Sequence, residues 1–125
     1  MHWQFDSDTP IYLQLVEKIR LKIAAGEYAA GMRLPAVRDF ALETGVNPNT
    51  MQRALTELER LGLVYSQRTA GRFVTEDAER IARERNDYAA GLARQFSRKI
   101  AELGFTRAEM LALFEEQEGT EECRS

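Results

Sequence analysis

Two apolar stripes at helical spacing, separated by a very short connection, constrain the fold of this chain most strongly. The first stripe runs from about Ala36 to Thr44 and ends at Gly45, a residue type that favours helix termini. The second starts at Asn47-Pro48, because Asn is a good N-cap and Pro suits the first helical position, and it runs to about Leu61. Two helices joined by so short a turn predict a helix-turn-helix motif.

A β-hairpin is predicted directly after this motif. Residues 63–67 and 72–75 alternate between apolar and polar side chains and flank a turn that ends in Gly71. Upstream of the motif, residues 33–35 could form a very short strand. This order of elements is typical of a winged helix-turn-helix: helix, short strand, helix, tight turn, helix and hairpin.

Further helices are predicted on both sides of this winged segment. The first begins at Pro10, with Thr9 as its cap. Downstream, an apolar stripe over residues 77–103 predicts one long helix, and a capping box of Thr106 and Glu109 begins a last one. The predicted fold class is therefore mainly α with a small β-hairpin wing, and the winged helix-turn-helix domain is followed by two C-terminal helices.

Two segments with different charge balances divide the chain. Residues 1–75, with a core from 10 to 75, form the predicted winged domain and carry nine Lys or Arg against eight Asp or Glu. Residues 76–125, the predicted helical segment with a polar acidic tail, carry eight against twelve. The total charge of −3 therefore neither supports nor excludes binding to nucleic acid. What matters for such binding is whether the cations of the first segment lie on one surface.

Composition argues against several functional classes. The sequence holds one cysteine, Cys123, and one histidine, His2, so we expect no internal disulfide, no Cys/His zinc site and no His-dependent nucleophile. No stretch is apolar enough to span a membrane and the first ten residues lack a signal-peptide core, so we expect a cytoplasmic protein. We predict neither an enzyme nor a cofactor. Weak metal binding by the tail is less favoured than a solvated acidic surface formed by Glu115, Glu116, Glu118, Glu121 and Glu122.

The polar face of the helix after Asn47 carries side chains that are able to read DNA. Its first turns hold groups that can contact base edges or phosphates, namely Asn47, Asn49, Thr50, Gln52 and Arg53. Arg38 on the preceding helix, with Arg68 and Arg72 beside the hairpin tip, could reach the same phosphates. The alternatives are a solvated helix face, which any surface helix has, and a purely structural β-ribbon.

Five ordered stretches between residues 10 and 75 form a longer pattern: PIYLQL (10–15), GMRLPAVR (31–38), VNPNTMQRAL (46–55), LERLGLV (58–64) and GRFV (71–74). Together they resemble the DNA-binding domain of GntR-family bacterial transcription regulators. The 50 residues after position 75 are too few for a large effector-binding domain, so the chain resembles the YtrA-like subfamily.

This resemblance implies DNA contacts at matched positions. Arg38 matches the arginine of the second helix, and Gly71 matches the wing glycine that lets the backbone approach the minor groove. The sequence departs from the family where Ala36 replaces a capping Ser, where Pro48-Asn49 replaces a frequent Arg-Thr pair, and where Arg72 replaces a common Thr. The predicted DNA-binding set is Arg33, Ala36, Arg38, Asn47, Asn49, Thr50, Gln52, Arg53, Arg68, Thr69, Gly71 and Arg72.

The long apolar stripe after the wing predicts a homodimer interface. It exceeds what a small winged domain can easily cover, and the small residues around Gly91 would let a partner helix approach closely. The alternative is a pair of helices that folds back on the winged domain as a lid. The predicted interface consists of Ile81, Tyr88, Leu92, Phe96, Ile100, Leu103, Met110, Leu113 and Phe114.

These features predict a dimeric, sequence-specific DNA-binding regulator, most simply a repressor on an inverted repeat in double-stranded DNA. The alternative function is a winged-helix protein-interaction or scaffold module without specific DNA binding. A small-molecule effector would have to bind between the helices and the winged domain or at the dimer seam, and control by abundance alone is equally allowed.

Overall fold

The computed structural model describes residues 3–121 and is mainly helical with one antiparallel hairpin, which confirms the predicted fold class. Helix and strand bounds lie within a few residues of those that the sequence predicts. The elements in chain order are α1 (Ile11–Ala24), α2 (Val37–Thr44), α3 (Pro48–Arg60), β1 (Val64–Gln67), β2 (Gly71–Val74), α4 (Ala78–Ala101) and α5 (Arg107–Glu121).

The chain divides into two compact units, the first ending at Tyr88 and the second beginning at Ala89. The first unit therefore extends beyond residue 75 and includes the beginning of α4. Within residues 3–121, none of the helices combines the length and apolar character that crossing a membrane requires.

The core of the first unit is built by the inward faces of α1, α2 and α3. Its apolar positions on α1 and α3 recur every three or four residues, as a helix with one buried face requires. Trp3 packs on this core before α1 begins, with its ring edge-on to Phe40 at 6.1 Å between centroids. The fully buried side chains include Leu15, Ile19, Ile23, Phe40, Met51, Leu55, Leu58, Leu63 and Val74.

The start of α1 differs from the prediction. Pro10 occupies the N-cap position rather than the first helical one, and no side chain caps the helix, so Thr9 as a cap was wrong. The Thr9 carbonyl instead accepts a hydrogen bond of 2.7 Å from Nε2 of Gln14. The amide side chain of Gln14 thus ties the segment before α1 to the helix.

The turn between α2 and α3 is tight because Gly45 adopts a left-handed conformation with φ of +77°. The amides of Gly45 and Val46 both donate to the Ala41 carbonyl, at 2.9 and 3.0 Å. Val46 then packs on the core, and Asn47 caps α3 as predicted. This turn fixes the direction in which α3 leaves α2.

The hairpin pairs Val64 with Val74 at its base and Gln67 with Gly71 at its tip. The short strand predicted at residues 33–35 is reduced to a single bridge between Arg33 and Phe73. Backbone hydrogen bonds on both sides of this bridge connect the segment before α2 to β2.

The beginning of α4 is held on the first unit by a buried carboxylate. Glu84 is only 2% exposed and accepts hydrogen bonds from Arg20 of α1, at 2.5 and 3.2 Å, and from Arg80 one turn earlier, at 3.1 Å. Arg80 also donates to the Leu61 carbonyl at 3.0 Å. Burial raises the pKa of Glu84, but the two guanidinium groups outweigh it and hold this pKa below its ordinary value.

Ile81 belongs to this anchor and not to a free surface. It is half-buried and packs against the core of the first unit. Its assignment to the dimer interface stays a prediction, because a residue at helical spacing in an apolar stripe can face either a partner or its own domain, and Ile81 contacts at least its own domain.

The second unit contains the rest of α4 and α5. The predicted capping box at the start of α5 is confirmed: the Thr106 hydroxyl accepts from the Glu109 amide at 3.2 Å, and the Glu109 carboxylate accepts from the Thr106 amide at 2.8 Å. Cys123 and Glu122 of the tail, like His2, lie outside the described residues.

Candidate nucleic-acid interface

The start of α3 presents short polar side chains to solvent. Asn49 and Gln52 are exposed, and Thr50 is half-buried beside them. Asn47 is exposed as well, but its Oδ1 already accepts a hydrogen bond of 2.7 Å from the Asn49 amide. Asn47 therefore keeps its Nδ2 donors and one acceptor lone pair for a base or phosphate, whereas Asn49 and Gln52 keep whole amide groups available.

Arg38 shares a groove with the start of α3. The groove has a volume of about 570 Å³ and is lined by α2 and by the turn that leads into α3, through Arg38, Asp39, Ala41, Leu42, Gly45, Val46 and Pro48. Arg38 is exposed, and among the described side chains none forms an ion pair with it. An unpaired guanidinium beside a helix N-terminus is an arrangement suited to binding phosphate, because both groups attract anions. Ala36 is exposed just before α2 and provides no side-chain cap, as the loss of the family's Ser predicts.

Arg53 does not extend freely from α3. Its guanidinium carbon lies 3.7 Å from the centroid of the Tyr12 ring on α1, in a cation–π stack. Arg60, two turns further along the same face of the helix, is instead paired with Glu57, with Nη2 and Oε2 separated by 2.6 Å. Hydrogen bonding to Arg60 holds the pKa of Glu57 below its usual value.

The wing combines an exposed turn with a closely packed edge. Arg68 and Thr69 lie exposed in the turn between the strands. Gly71 follows with φ of +104°, and a Cβ built on it would lie 3.4 Å from Nε of Arg33. An added Cβ would therefore only touch the flexible Arg33 guanidinium, so this glycine is favoured by its backbone conformation rather than by packing.

Arg72 is tied to α3 rather than directed to solvent. Its Nε donates to Oε1 of Glu59 at 2.9 Å, and its side chain is 20% exposed. The Ser66 hydroxyl donates to the same carboxylate oxygen. Burial raises the pKa of Glu59, but these two hydrogen bonds outweigh it, so this pKa lies below its ordinary value. The positive charge of Arg72 is balanced internally, and its geometric role is to connect the wing to α3.

Sequence reasoning missed three residues that shape this surface: Tyr12, Glu59 and Glu84. In the sequence, both Tyr12 and Glu59 stand out only as members of the family pattern. The pairing of Glu84 with Arg80 has a visible signal, since the two residues are four apart on one helix. Their partners Arg20, Arg53 and Arg72 lie on other elements, which local spacing does not reveal.

The second unit carries several exposed large apolar side chains. Phe96 is 52% exposed and Leu103 is 77% exposed on or just after α4. The other members of the predicted interface within residues 89–117 are exposed (Leu92, Phe114) or half-buried (Ile100, Met110, Leu113). Tyr88 is half-buried at the end of the first unit and lines a groove beside α1 with Leu13 and Leu21.

A family model described as bacterial regulatory proteins of the gntR family matches residues 11–74, more than half of the chain. The chain belongs to this family. The matched region begins with α1 and ends with β2, so it contains the groove beside Arg38, the start of α3 and the wing.

Two relatives from Bacillus subtilis extend the comparison. The uncharacterized HTH-type transcriptional regulator YhcF is 41% identical over 108 residues, which are 86% of this chain and 89% of YhcF. The HTH-type transcriptional repressor YtrA is 37% identical over 73 residues, 58% of this chain and 56% of YtrA. The predicted resemblance to GntR-family and YtrA-like proteins is confirmed, and these relatives are transcriptional regulators rather than enzymes.

Two solved structures show similar folds. A GntR family transcriptional regulator from Listeria monocytogenes is 38% identical with a TM-score of 0.83, and the match covers 90% of this chain and 98% of that one. The structure of AraR(DBD) in complex with operator ORX1 is 27% identical with a TM-score of 0.54, covering 60% of this chain and 99% of that one.

Proposed function

We propose that this protein is a sequence-specific DNA-binding regulator of transcription whose reading surface is the start of α3 with Arg38 and the wing. The observation that carries the proposal is the groove in which the unpaired Arg38 guanidinium meets the N-terminal turn of α3. Family membership and the operator complex of AraR(DBD), a 27% identical domain, support the same assignment.

In the proposed mechanism the first turns of α3 enter the major groove. Asn49 and Gln52 offer both donors and acceptors, the combination that recognises adenine edges. Arg38 neutralises a phosphate beside the helix N-terminus, and the exposed Arg68 and Thr69 of the wing turn reach the adjacent minor groove or its phosphates. Arg33 and Arg72 support the wing from within, since one packs over Gly71 and the other pairs with Glu59.

We further propose that the protein acts as a homodimer through the second unit. Water-exposed side chains as large as Phe96 on α4 and Leu103 just after it are typical of interaction surfaces rather than of a finished monomer surface. Dimerisation would place two copies of α3 on an inverted repeat, with half-sites about 34 Å or one helical turn apart. A dimer whose operator overlaps a promoter hinders RNA polymerase binding, so a repressor is the simplest regulatory outcome. A cytoplasmic location is part of the proposal, and regulation by a small-molecule effector and control by abundance alone are both compatible with it.

Selection of duplexes from a random pool by the full chain tests the proposed function. We expect enrichment of a single motif with inverted-repeat symmetry. Arg38→Ala should weaken binding to the selected duplex about tenfold and reduce its salt dependence by roughly one counterion. Arg83→Ala removes the same charge from an exposed position on α4 and should leave the affinity unchanged. A pool without enrichment would instead favour the alternative of a protein-interaction module.

A further inference from the structure

The stack of Arg53 on Tyr12 joins the reading helix to the start of α1. The guanidinium carbon of Arg53 lies 3.7 Å from the ring centroid, which is direct van der Waals contact with the aromatic face. Tyr12 is half-buried on α1, a helix that packs on α3, so the ring is a firm support. Arg53 itself is exposed on α3, beyond the polar residues of the first turn.

This environment differs from that of the other arginines on α3 and the wing strands. Arg60 and Arg72 each donate to a carboxylate, at 2.6 Å and 2.9 Å, so part of their hydrogen-bonding edge is occupied. Among the described side chains none forms an ion pair with Arg53. A stacked guanidinium uses its face for the contact and keeps its N–H donors, which lie in the plane, available at the edge.

We propose that Tyr12 is a positioning residue for Arg53, holding its guanidinium ready for a bidentate contact with two acceptor atoms of DNA. This inference rests on the proposed function. The acceptors are phosphate oxygens or the O6 and N7 atoms of guanine, which present the same paired geometry. The ring restricts the side-chain conformations of Arg53 before DNA binds. Less conformational entropy is then lost on binding, and the affinity is higher.

The test measures affinity for the selected duplex with variants of the full chain. Tyr12→Leu keeps apolar bulk on α1 but removes the aromatic face, and it should weaken binding roughly fivefold. Tyr12→Phe keeps the face and removes only the hydroxyl, so its affinity should stay within about twofold of the parent protein. In an Arg53→Ala background, Tyr12→Leu should cause no further loss, because the ring acts only through Arg53.

The two acceptor sources give different results. If Arg53 contacts a phosphate, Tyr12→Leu should weaken the selected and a scrambled duplex alike and reduce the salt dependence. If Arg53 contacts guanine, the loss should appear only on the selected duplex.

Three results would overturn the inference. The first is that Tyr12→Leu binds DNA with the affinity of the parent protein. The second is that Tyr12→Leu weakens binding as much in the Arg53→Ala background as in the parent protein. The third is that Tyr12→Phe loses as much affinity as Tyr12→Leu, which would make the hydroxyl the DNA contact. Thermal unfolding of each variant identifies a folding defect, and Tyr12→Met replaces Tyr12→Leu if the latter does not fold. Failure of the parent chain to select any duplex would count against the proposed function instead.

Discussion

Replacing Glu84 by Gln should destabilise the protein more than any other single carboxylate-to-amide change on the described part of the chain. The substitution preserves size but removes the negative charge that accepts hydrogen bonds from Arg20 and Arg80. It also turns an amide group with its own donors toward two cations. The two guanidinium groups would then be left partly buried without their main counter-charge, since Arg20 would keep only the exposed Glu17 at 3.8 Å. Such a loss is the costly result of breaking a buried ion pair.

The expected loss of unfolding free energy is about 2–3 kcal/mol, below the roughly 3–5 kcal/mol typical when one partner of a fully buried pair is removed. The reduction follows from the positions of the arginines, since the side chains of Arg20 and Arg80 are 28% and 17% exposed and water can solvate them in part. For a chain of this size the loss corresponds to a fall in thermal midpoint of about 10 °C.

The effect should depend on pH. The pKa of Glu84 lies below its ordinary value in the folded protein, so the unfolded chain takes up the proton first as pH falls. Its stabilising contribution is therefore complete above the ordinary carboxyl range near pH 4 and is lost as pH drops through the lowered pKa. The difference between Glu84→Gln and the parent protein should be largest at neutral pH and should shrink on acidification.

Urea unfolding followed by circular dichroism, at pH 7 and at several lower values and at one protein concentration, measures both effects. Glu57→Gln is the matched control, because it removes the same charge from the surface pair with Arg60 and should leave the midpoint unchanged. Equal stability of Glu84→Gln and the control at pH 7 would refute the view that this carboxylate anchors α4.

Three further predictions concern the wing, the α3 cap and the second unit. Gly71→Ala forces a side chain onto a backbone with φ of +104° and should lower the free energy of unfolding in urea by about 1–2 kcal/mol. An unchanged free energy of unfolding would contradict the view that this wing position needs glycine. Asn47→Ala should lower the free energy of unfolding by about 1 kcal/mol because it removes the cap of α3. Asn49→Ala should keep stability and lose DNA affinity. Identical behaviour of the two variants would be inconsistent with their separate roles. Phe96→Glu should shift sedimentation toward monomer, while Ala101→Glu, an equal charge at an exposed position on the other side of α4, should not. An unchanged species in Phe96→Glu would argue against the dimer surface.

Features of the fold that depend on neighbouring residues could be predicted from the sequence. Gly45 and Asn47-Pro48 specify the end of α2 and the start of α3 through their own backbone preferences, and both are found where expected. Thr9 shows the limit of such reasoning, because Thr9 and Pro10 compete for the same cap position and the proline occupies it.

Contacts between distant elements could not be predicted in the same way. Glu84 lies 64 residues from Arg20, and no spacing rule connects a charge on α4 to one on α1. Ile81 fits an apolar stripe equally well whether the stripe faces a partner or the core. Arg72 was read as a cation of the wing surface, but Glu59 on α3 binds it, so the candidate site is less positive than the sequence indicates.

The central claim is specific DNA recognition by the start of α3, and a fluorescence anisotropy titration tests it most directly. The parent chain would be titrated into the selected duplex and a scrambled duplex at several salt concentrations. The account predicts tight, salt-sensitive binding with a preference for the selected duplex of roughly a thousandfold or more. Equal weak binding to both duplexes would contradict it.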